Sequence, residues 1–419
     1  MRIIPVKNVR AFTKSAEQKY DKKLVESIIA QVAKQGDSAL KKFEKKFSRA
    51  DLKTLQVSKK EIADAYKAVT KDQLDAIILA KTRLAKTEQA IKNQLKKITI
   101  TSDGTKIAKS FVPIDSVGCY VPGGLARYPS SAIMSVVPAK IAGVKKIIIT
   151  TPPDKQGKVS PLVLVAADIC GADMIFKVGG AHAIAALAIG TRSIPQVDKI
   201  VGPGGVFVTA AKYLVSNMTS IDMLAGPTEL AILADNSSDP KLIALDLISQ
   251  AEHSADTRCC LITTSKSLAK KVVSEVDRLL PTLKRREIIK SSLQKNGFVA
   301  LCNKTSDAIS LANNLAPEHL EIITRNSDAI SKKISTAGLV LIGKNTPSAA
   351  SDYLLGTNHI LPTNKFGRSR GSLSVLDYLK IQTTAESSKQ ALQKIRKPLK
   401  TLTDSENLPN HYNAVRNRL

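Results

Sequence analysis

Five histidines occur in the 419 residues, and four of them stand beside carboxylates or amides that could hold a metal ion or move protons. In Gln250-Ala251-Glu252-His253 the first and last residues are spaced i, i+3, which places both on one face of a helix. An amide oxygen and an imidazole set together could share a cation, and imidazole suits zinc. A solvated polar helix end would show the same spacing. In Ala316-Pro317-Glu318-His319 a carboxylate and an imidazole are adjacent. Pro317 disfavours helix at Ala316, so a helix should end there and the pair should lie at an element end, either as two acid–base groups or as an ordinary turn. Asp352 precedes His359 by seven residues, with Gly356-Thr357-Asn358 between them. These could add a ligand and a substrate contact, or they are turn chemistry. Glu406 and His411 flank Pro409, which should start a last helix; the two share a side of that segment or belong to a solvated tail.

Two further features bear on chemistry. Gly202-Pro203-Gly204-Gly205 follows a strand pattern and precedes a helix pattern, without the Gly-x-Gly-x-x-Gly fingerprint. It is a phosphate-cradling loop or a tight turn. Cys119, next to Tyr120, is the thiol that could form a covalent adduct, but nothing near it in sequence would lower its pKa, so it reads as a small apolar residue.

The elements that must position these groups follow from periodicity. Residues 15–97 read as helices, with Val25, Ile28, Ile29 and Val32 at helical spacing. From 110 to 228, short β-branched runs alternate with helical stretches: strands at 116–121, 146–150, 174–178 and 199–201, helices at 130–142, 162–169 and 181–189. The rhythm resumes from Leu230, with strands at 231–233, 260–263, 298–301, 320–324 and 338–342. This alternation predicts an α/β protein of two tandem parallel-sheet units. The tail after Asp377 reads as helical and basic with no strand. The expected domains are an N-terminal extension at 1–14, a discontinuous first unit of 15–118 plus 229–376, a second unit of 119–228, and a helical tail of 377–419.

Composition narrows the class. Hydrophobic residues make up 43% and charged residues 24%, ordinary for a globular protein, and no run reaches the length of a membrane span. The N-terminus lacks the apolar run of a secretory signal. Five cysteines, an odd number with no Cys-x-x-Cys pair, argue against a disulfide framework or thiolate cluster and fit a cytoplasmic location. The net charge of +27 invites a nucleic-acid partner. The lysines are spread along the chain, however, and aromatic content is 4% with no tryptophan, so platforms for base stacking are scarce. A solvated, lysine-rich surface is the expectation.

Taken together, these segments resemble the histidinol dehydrogenase family, in order along nearly the whole chain. The resemblance rests on Tyr120-Val121-Pro122-Gly123-Gly124, Val178-Gly179-Gly180-Ala181, Ile200-Val201-Gly202-Pro203-Gly204 and Asp222-Met223-Leu224-Ala225-Gly226-Pro227-Thr228-Glu229. It continues through Ser249-Gln250-Ala251-Glu252-His253, Ala316-Pro317-Glu318-His319-Leu320 and Gly356-Thr357-Asn358-His359. It implies Rossmann-like domains with helical N- and C-terminal extensions. It also implies a cytoplasmic enzyme that oxidises histidinol to histidine in two NAD-linked steps, with one zinc ion per subunit. By the same resemblance Gln250, His253 and Asp352 are zinc ligands, and His411 is a ligand supplied in trans within a homodimer. Glu406 reads the substrate's imidazole, His319 is the general base, Glu318 activates water, and His359 and Thr228 contact substrate. Tyr120, His182 and Gly205 fall at dinucleotide contacts. His182 and Gly205 replace a glutamine and an asparagine usual in the family, and Thr228 replaces a serine. Two alternatives stand beside this reading. One is a related zinc alcohol dehydrogenase acting on another small alcohol such as a sulfonated diol, against which Glu406 and His411 favour an imidazole. The other is a basic scaffold or nucleic-acid-binding protein that has kept the fold without turnover.

Overall fold

A computed structural model describes residues 1–6, 21–123 and 128–419; most of the expected N-terminal extension, and Gly124, lie outside the described residues. The chain opens with β1 (Arg2–Pro5) and continues through four helices, α1 (Lys22–Gln35), α2 (Asp37–Phe47), α3 (Lys59–Ala68) and α4 (Lys71–Asn93). Local sequence sets their starts. Asp21 caps α1, and reciprocal capping boxes pair Ser58 with Glu61 and Thr70 with Gln73 at the heads of α3 and α4. A hairpin follows, β2 (Ile98–Ser102) and β3 (Thr105–Pro113), turned by Asp103-Gly104 with both residues at positive φ.

The next stretch alternates strictly: β4 (Ser116–Tyr120), α5 (Pro129–Ala142), β5 (Lys146–Thr150), α6 (Pro161–Cys170), β6 (Met174–Phe176), α7 (Gly180–Ile189), β7 (Lys199–Val201), α8 (Val206–Val215) and β8 (Ser220–Ile221). Its strands form a parallel sheet in the order β6-β5-β4-β7-β8. The strands are covered on both faces, which is why Ile147, Ile148 and Ile149 run consecutively with no exposure.

A second alternation gives β9 (Glu229–Ala234), α9 (Pro240–Ala251), β10 (Arg258–Thr263), α10 (Lys266–Leu279), α11 (Arg286–Lys295), β11 (Phe298–Leu301), α12 (Thr305–Leu315), β12 (His319–Ile323), α13 (Ser327–Ser331) and β13 (Leu339–Ile342). These strands and β1 form a six-stranded parallel sheet, β1-β11-β10-β9-β12-β13. The chain ends with α14 (Ser348–Ser351), β14 (Leu379–Ser387), α15 (Lys389–Ser405) and α16 (Pro409–Arg416). The α/β class and the parallel sheets agree with the sequence reading.

Two expectations are corrected. The helices at 22–93 were assigned with 229–376, but they pack on the five-stranded sheet. Val25, Val32, Leu40 and Phe43 share a core with Ile148, Phe176 and Ile184 on one face, and Ala65, Ile77 and Leu84 share one with Ile147 and Ile149 on the other. Their apolar stripes close over α5–α8, which are too apolar to face water. The tail is not wholly helical either: β14 pairs antiparallel with β3 along its full length, from Leu379 opposite Pro113 to Ser387 opposite Thr105. Its sequence is mostly polar because most of the strand is exposed. Among the described residues no helix is long and apolar enough to cross a membrane.

Candidate active site

The residues singled out on β12 lie at its amino end. α12 stops at Leu315 because Ala316 adopts a left-handed conformation (φ 47°) ahead of Pro317, and the chain turns directly into Glu318 and His319. His319 pairs in register with Leu230, so it stands beside Glu229 and Thr228 at the amino end of β9. Glu318 Oε2 accepts the Glu229 N–H at 2.9 Å and lies 3.8 Å from His319 Nδ1. His319 Nε2 lies 3.3 Å from Asp352 Oδ1, and neither ring nitrogen has a hydrogen bond of good geometry.

Burial and charge tune these groups in opposite senses. Loss of water pushes the Glu318 carboxyl up to about 8, against the pull of His319. Burial works to lower His319, but the Asp352 and Glu318 carboxylates outweigh it and hold the imidazole up at about 9. Asp352, although desolvated, is held below the usual carboxylate value by His319, His359 and His253. Both groups titrate above neutrality, so each can take up or give up a proton at mildly alkaline pH.

His253 comes to the same place from the end of α9, with Gln250 one turn before it. Gln250 is buried on its last turn, and its amide nitrogen has no partner. His253 lies just past the helix end, its N–H donating to the Gln250 carbonyl at 3.2 Å. Its ring reaches solvent, yet the packing around it lowers the imidazole below its ordinary value, opposed by Asp352 and Glu252. His359 closes the other side. Its Nδ1 lies 2.8 Å from the Asp352 carbonyl, which can only accept, so Nδ1 carries the proton. Nε2 is then the acceptor for the Ser131 hydroxyl at 3.3 Å, and burial keeps the ring below its usual pKa and neutral.

That contact reveals where the site sits, because Ser131 is in the first turn of α5, at the carboxyl end of the five-stranded sheet. The cluster therefore occupies the seam between the carboxyl end of one sheet and the amino end of the other. Ser131 and Glu229 were not singled out from sequence; neither lies in a pattern that distinguishes it from an ordinary helix start or strand start.

Across the seam, β4 and β7 are the neighbours at which strand order reverses, and a crevice outside their carboxyl ends is where ligands enter such sheets. Tyr120 ends β4, and its hydroxyl accepts the Gly180 N–H at 3.1 Å; burial pushes its pKa up to about 12. Gly202 ends the β7 run, and a Cβ there would lie 2.1 Å from the Tyr120 carbonyl oxygen, so only glycine allows this approach. Gly205 precedes α8 and faces open space. His182 departs from the expected cofactor contact. It is buried, with Nε2 2.7 Å from Glu44 Oε1, and Phe43 and Phe47 lie against its ring. The glutamate, brought in by α2, draws the imidazole into the core. Cys119 is wholly buried, and burial pushes its thiol up to about 12, in keeping with a small apolar residue.

Glu406 and His411 are not brought to the cluster within one chain. Both are exposed, on a pair of C-terminal helices, α15 and α16, that pack chiefly on each other. Among the described residues no three His, Cys, Asp or Glu side chains form a metal-holding group. The expected set draws only His253 and Asp352 of those types from one chain, with the Gln250 amide beside them. A low-pKa imidazole at His253 and an ionised carboxylate at Asp352 are the protonation states a cation requires, and Gln250 stands one turn away on the same stripe of α9; the residues present fit a metal ion completed from elsewhere.

Comparison with known proteins identifies the family. The histidinol dehydrogenase family model matches residues 12–419. The chain is 42% identical to the histidinol dehydrogenase of Oceanobacillus iheyensis over 391 residues, covering 93% of this chain and 91% of the relative. It is 39% identical to that of Methanocaldococcus jannaschii over 424 residues, covering 99% and 98%. The crystal structure of histidinol dehydrogenase from Elizabethkingia anophelis superposes with a TM-score of 0.94 at 33% identity, covering 100% of this chain and 98% of that one. With its fold, its seam of histidines and carboxylates and these matches along its length, the chain belongs to the histidinol dehydrogenase family of oxidoreductases.

Proposed function

We propose that this chain oxidises L-histidinol through the aldehyde to L-histidine, using two NAD and one zinc ion per subunit of a homodimer. The observation that carries the reading is the convergence of His253, His319, Asp352 and His359 on a seam that faces a dinucleotide-type crevice. Gln250, His253 and Asp352 would hold the zinc with His411 of the partner subunit, and the bound ion would supply a fixed anchor for the substrate's amino and imidazole nitrogens. Tyr120, Gly202 and Gly205 would hold NAD, which would supply the hydride acceptor for both oxidations. His319 takes the hydroxyl proton in the first oxidation. Glu318 takes a proton from water, so that the aldehyde is hydrated ahead of the second. Thr228 and His359 line the substrate's side, and Glu406 of the partner subunit offers a carboxylate to the imidazole.

The dimer reading has support in one exposed apolar face. Ile98, Ile100, Ile107 and Ile381 lie on the same side of the β14-β3-β2 sheet, all exposed, and α15 adds exposed Ile395 and Leu402. A face of this kind suits a partner, and it adjoins the helices that carry Glu406 and His411. Cytoplasmic location remains part of the proposal.

The test counts NADH formed per histidinol consumed, with and without a chelator. Two NADH, lost on chelation and restored by zinc, is the expected result; one NADH, or turnover indifferent to chelation, overturns it. A sulfonated diol run in parallel should give no turnover. Cys119→Ala should turn over as the parent does, which excludes a thiol adduct in the second step.

A further inference from the structure

Side chains alternate along β12, so His319, Glu321 and Ile323 face the same way, and Ile323 shows which way by packing in the core beneath α9. On α9, Asp246 and Gln250 are one turn apart on one stripe, and His253 continues that stripe just past the helix end. Asp246 and Glu321 meet one turn behind Gln250 on that stripe. Glu321 is 1% exposed, and its carboxyl lies within hydrogen-bond reach of the Asp246 carboxyl. Two carboxyl groups that bond to each other must share a proton. Burial raises both above the ordinary carboxylate range, in keeping with that sharing.

Glu321 also reaches a third element. Its Oε1 accepts the Ser348 N–H at 2.7 Å, at the start of α14, and the Asp352 N–H closes that short helix by donating to the Ser348 carbonyl at 3.1 Å. One buried carboxyl thus touches the helix carrying Gln250 and His253, the strand carrying Glu318 and His319, and the turn carrying Asp352. At the site itself these elements meet through apolar packing and the 3.3 Å approach of His319 to Asp352, and His319 has no well-formed hydrogen bond there.

We propose that Glu321 is a positioning residue: paired with Asp246 and bonded to Ser348, it fixes α9, β12 and α14 against one another and so sets the alignment of Gln250 and His253 with Asp352. This rests on the metal-site reading under Proposed function. Groups that orient ligands from behind commonly change metal affinity by about 10–100-fold when removed.

The experiment compares Glu321→Gln, which keeps an acceptor for Ser348 and can donate to Asp246, with Glu321→Leu, which can do neither. Zinc affinity of the metal-free dimer is measured by competition with a chromophoric chelator, alongside kcat, KM and the circular dichroism spectrum. Glu321→Leu should bind zinc at least about tenfold more weakly and lose kcat more than KM with an unchanged spectrum, and Glu321→Gln should stay within about threefold of the parent. Should Glu321→Leu fail to fold, Asp246→Ala serves in its place, with the same direction expected. A Leu variant that melts earlier yet keeps parental zinc affinity and kcat overturns the proposal and leaves Glu321 a purely structural group. A parent chain that takes up no zinc overturns the metal reading instead, and the kcat and KM comparison then decides the role of Glu321 on its own.

Discussion

The two parallel sheets present opposite ends to the same seam. The five-stranded sheet offers its carboxyl end, where Tyr120 and Gly202 lie and where the following helices α5, α7 and α8 begin. The six-stranded sheet offers its amino end, where Glu229 and His319 lie and where the preceding helices α9 and α12 finish. Helix starts carry partial positive charge and unpaired N–H groups, which suit phosphates; helix finishes carry partial negative charge, which suits cations. By backbone polarity alone, one half of the seam favours anions and the other cations, in keeping with the NAD and zinc proposed for them. The side chains follow suit, with glycines on the first half and carboxylates and imidazoles on the second.

Variants confined to one half should therefore leave the other half's ligand untouched. The largest effect is expected at His319. Removing a general base costs about 10²–10⁴-fold in rate, so His319→Ala should lose kcat by that order while NAD affinity, read by fluorescence titration, stays at the parent value. A matching fall in NAD affinity would break the division. On the other half, Lys212 is buried against Asp222, and the two hold the Gly202 turn: Lys212 Nζ donates to the Gly202 carbonyl at 3.0 Å, and Asp222 accepts the Gly202 N–H at 2.8 Å. Leaving a buried charge unpaired costs about 3–5 kcal/mol. Lys212→Met should lose that much stability in urea melts and weaken NAD binding, with zinc affinity unchanged.

A third variant lies behind the five-stranded sheet, away from both ligands. Burial, with a smaller push from Asp377, holds Glu88 at about 7, and its Oε2 accepts the Val375 N–H at 2.6 Å. Folding raises this pKa, so the folded state favours the protonated acid. The group's contribution is greatest below the unfolded value of 4.5, falls as pH rises, and levels off above about 7. Glu88→Gln keeps the acceptor without the charge. It should stabilise the protein at pH 8 by up to about 3 kcal/mol relative to its effect at pH 4.5, with neither ligand's affinity altered. An equal effect at both pH values would mean that Glu88 ionises freely.

Much of this was readable from the chain. Alternation located the strands from Ser116 to Ile342 because parallel strands covered on both faces are unbroken apolar runs, as at Ile147-Ile148-Ile149. Pro317 marked the element end that carries Glu318 and His319. The polarity of that end was not readable: nothing in His319-Leu320-Glu321 tells that the chemistry sits where the strand begins. The hairpin at 98–113 was passed over, although Asp103-Gly104 between alternating residues is a strong turn signal, because the lysine-rich helix before it masked the change of period. β14 was not readable because most of its residues are polar and only Leu379 and Ile381 carry large apolar side chains on its one apolar face. The pairing of His182 with Glu44 was not readable, because Glu44 lies in a helix remote in sequence and no local pattern shows a buried pair of that kind.

The pairing of β14 with β3 has an implication for biosynthesis. Residues 98–113 emerge from the ribosome early, but their hairpin has an open flank until Leu379–Ser387 arrive to cover it. Both α/β units can assemble before this small sheet, which must wait until residues 379–387 have been made. Truncation within β14 would leave the hairpin bare at a hydrogen-bonding edge, an invitation to clumping even where both cores are intact.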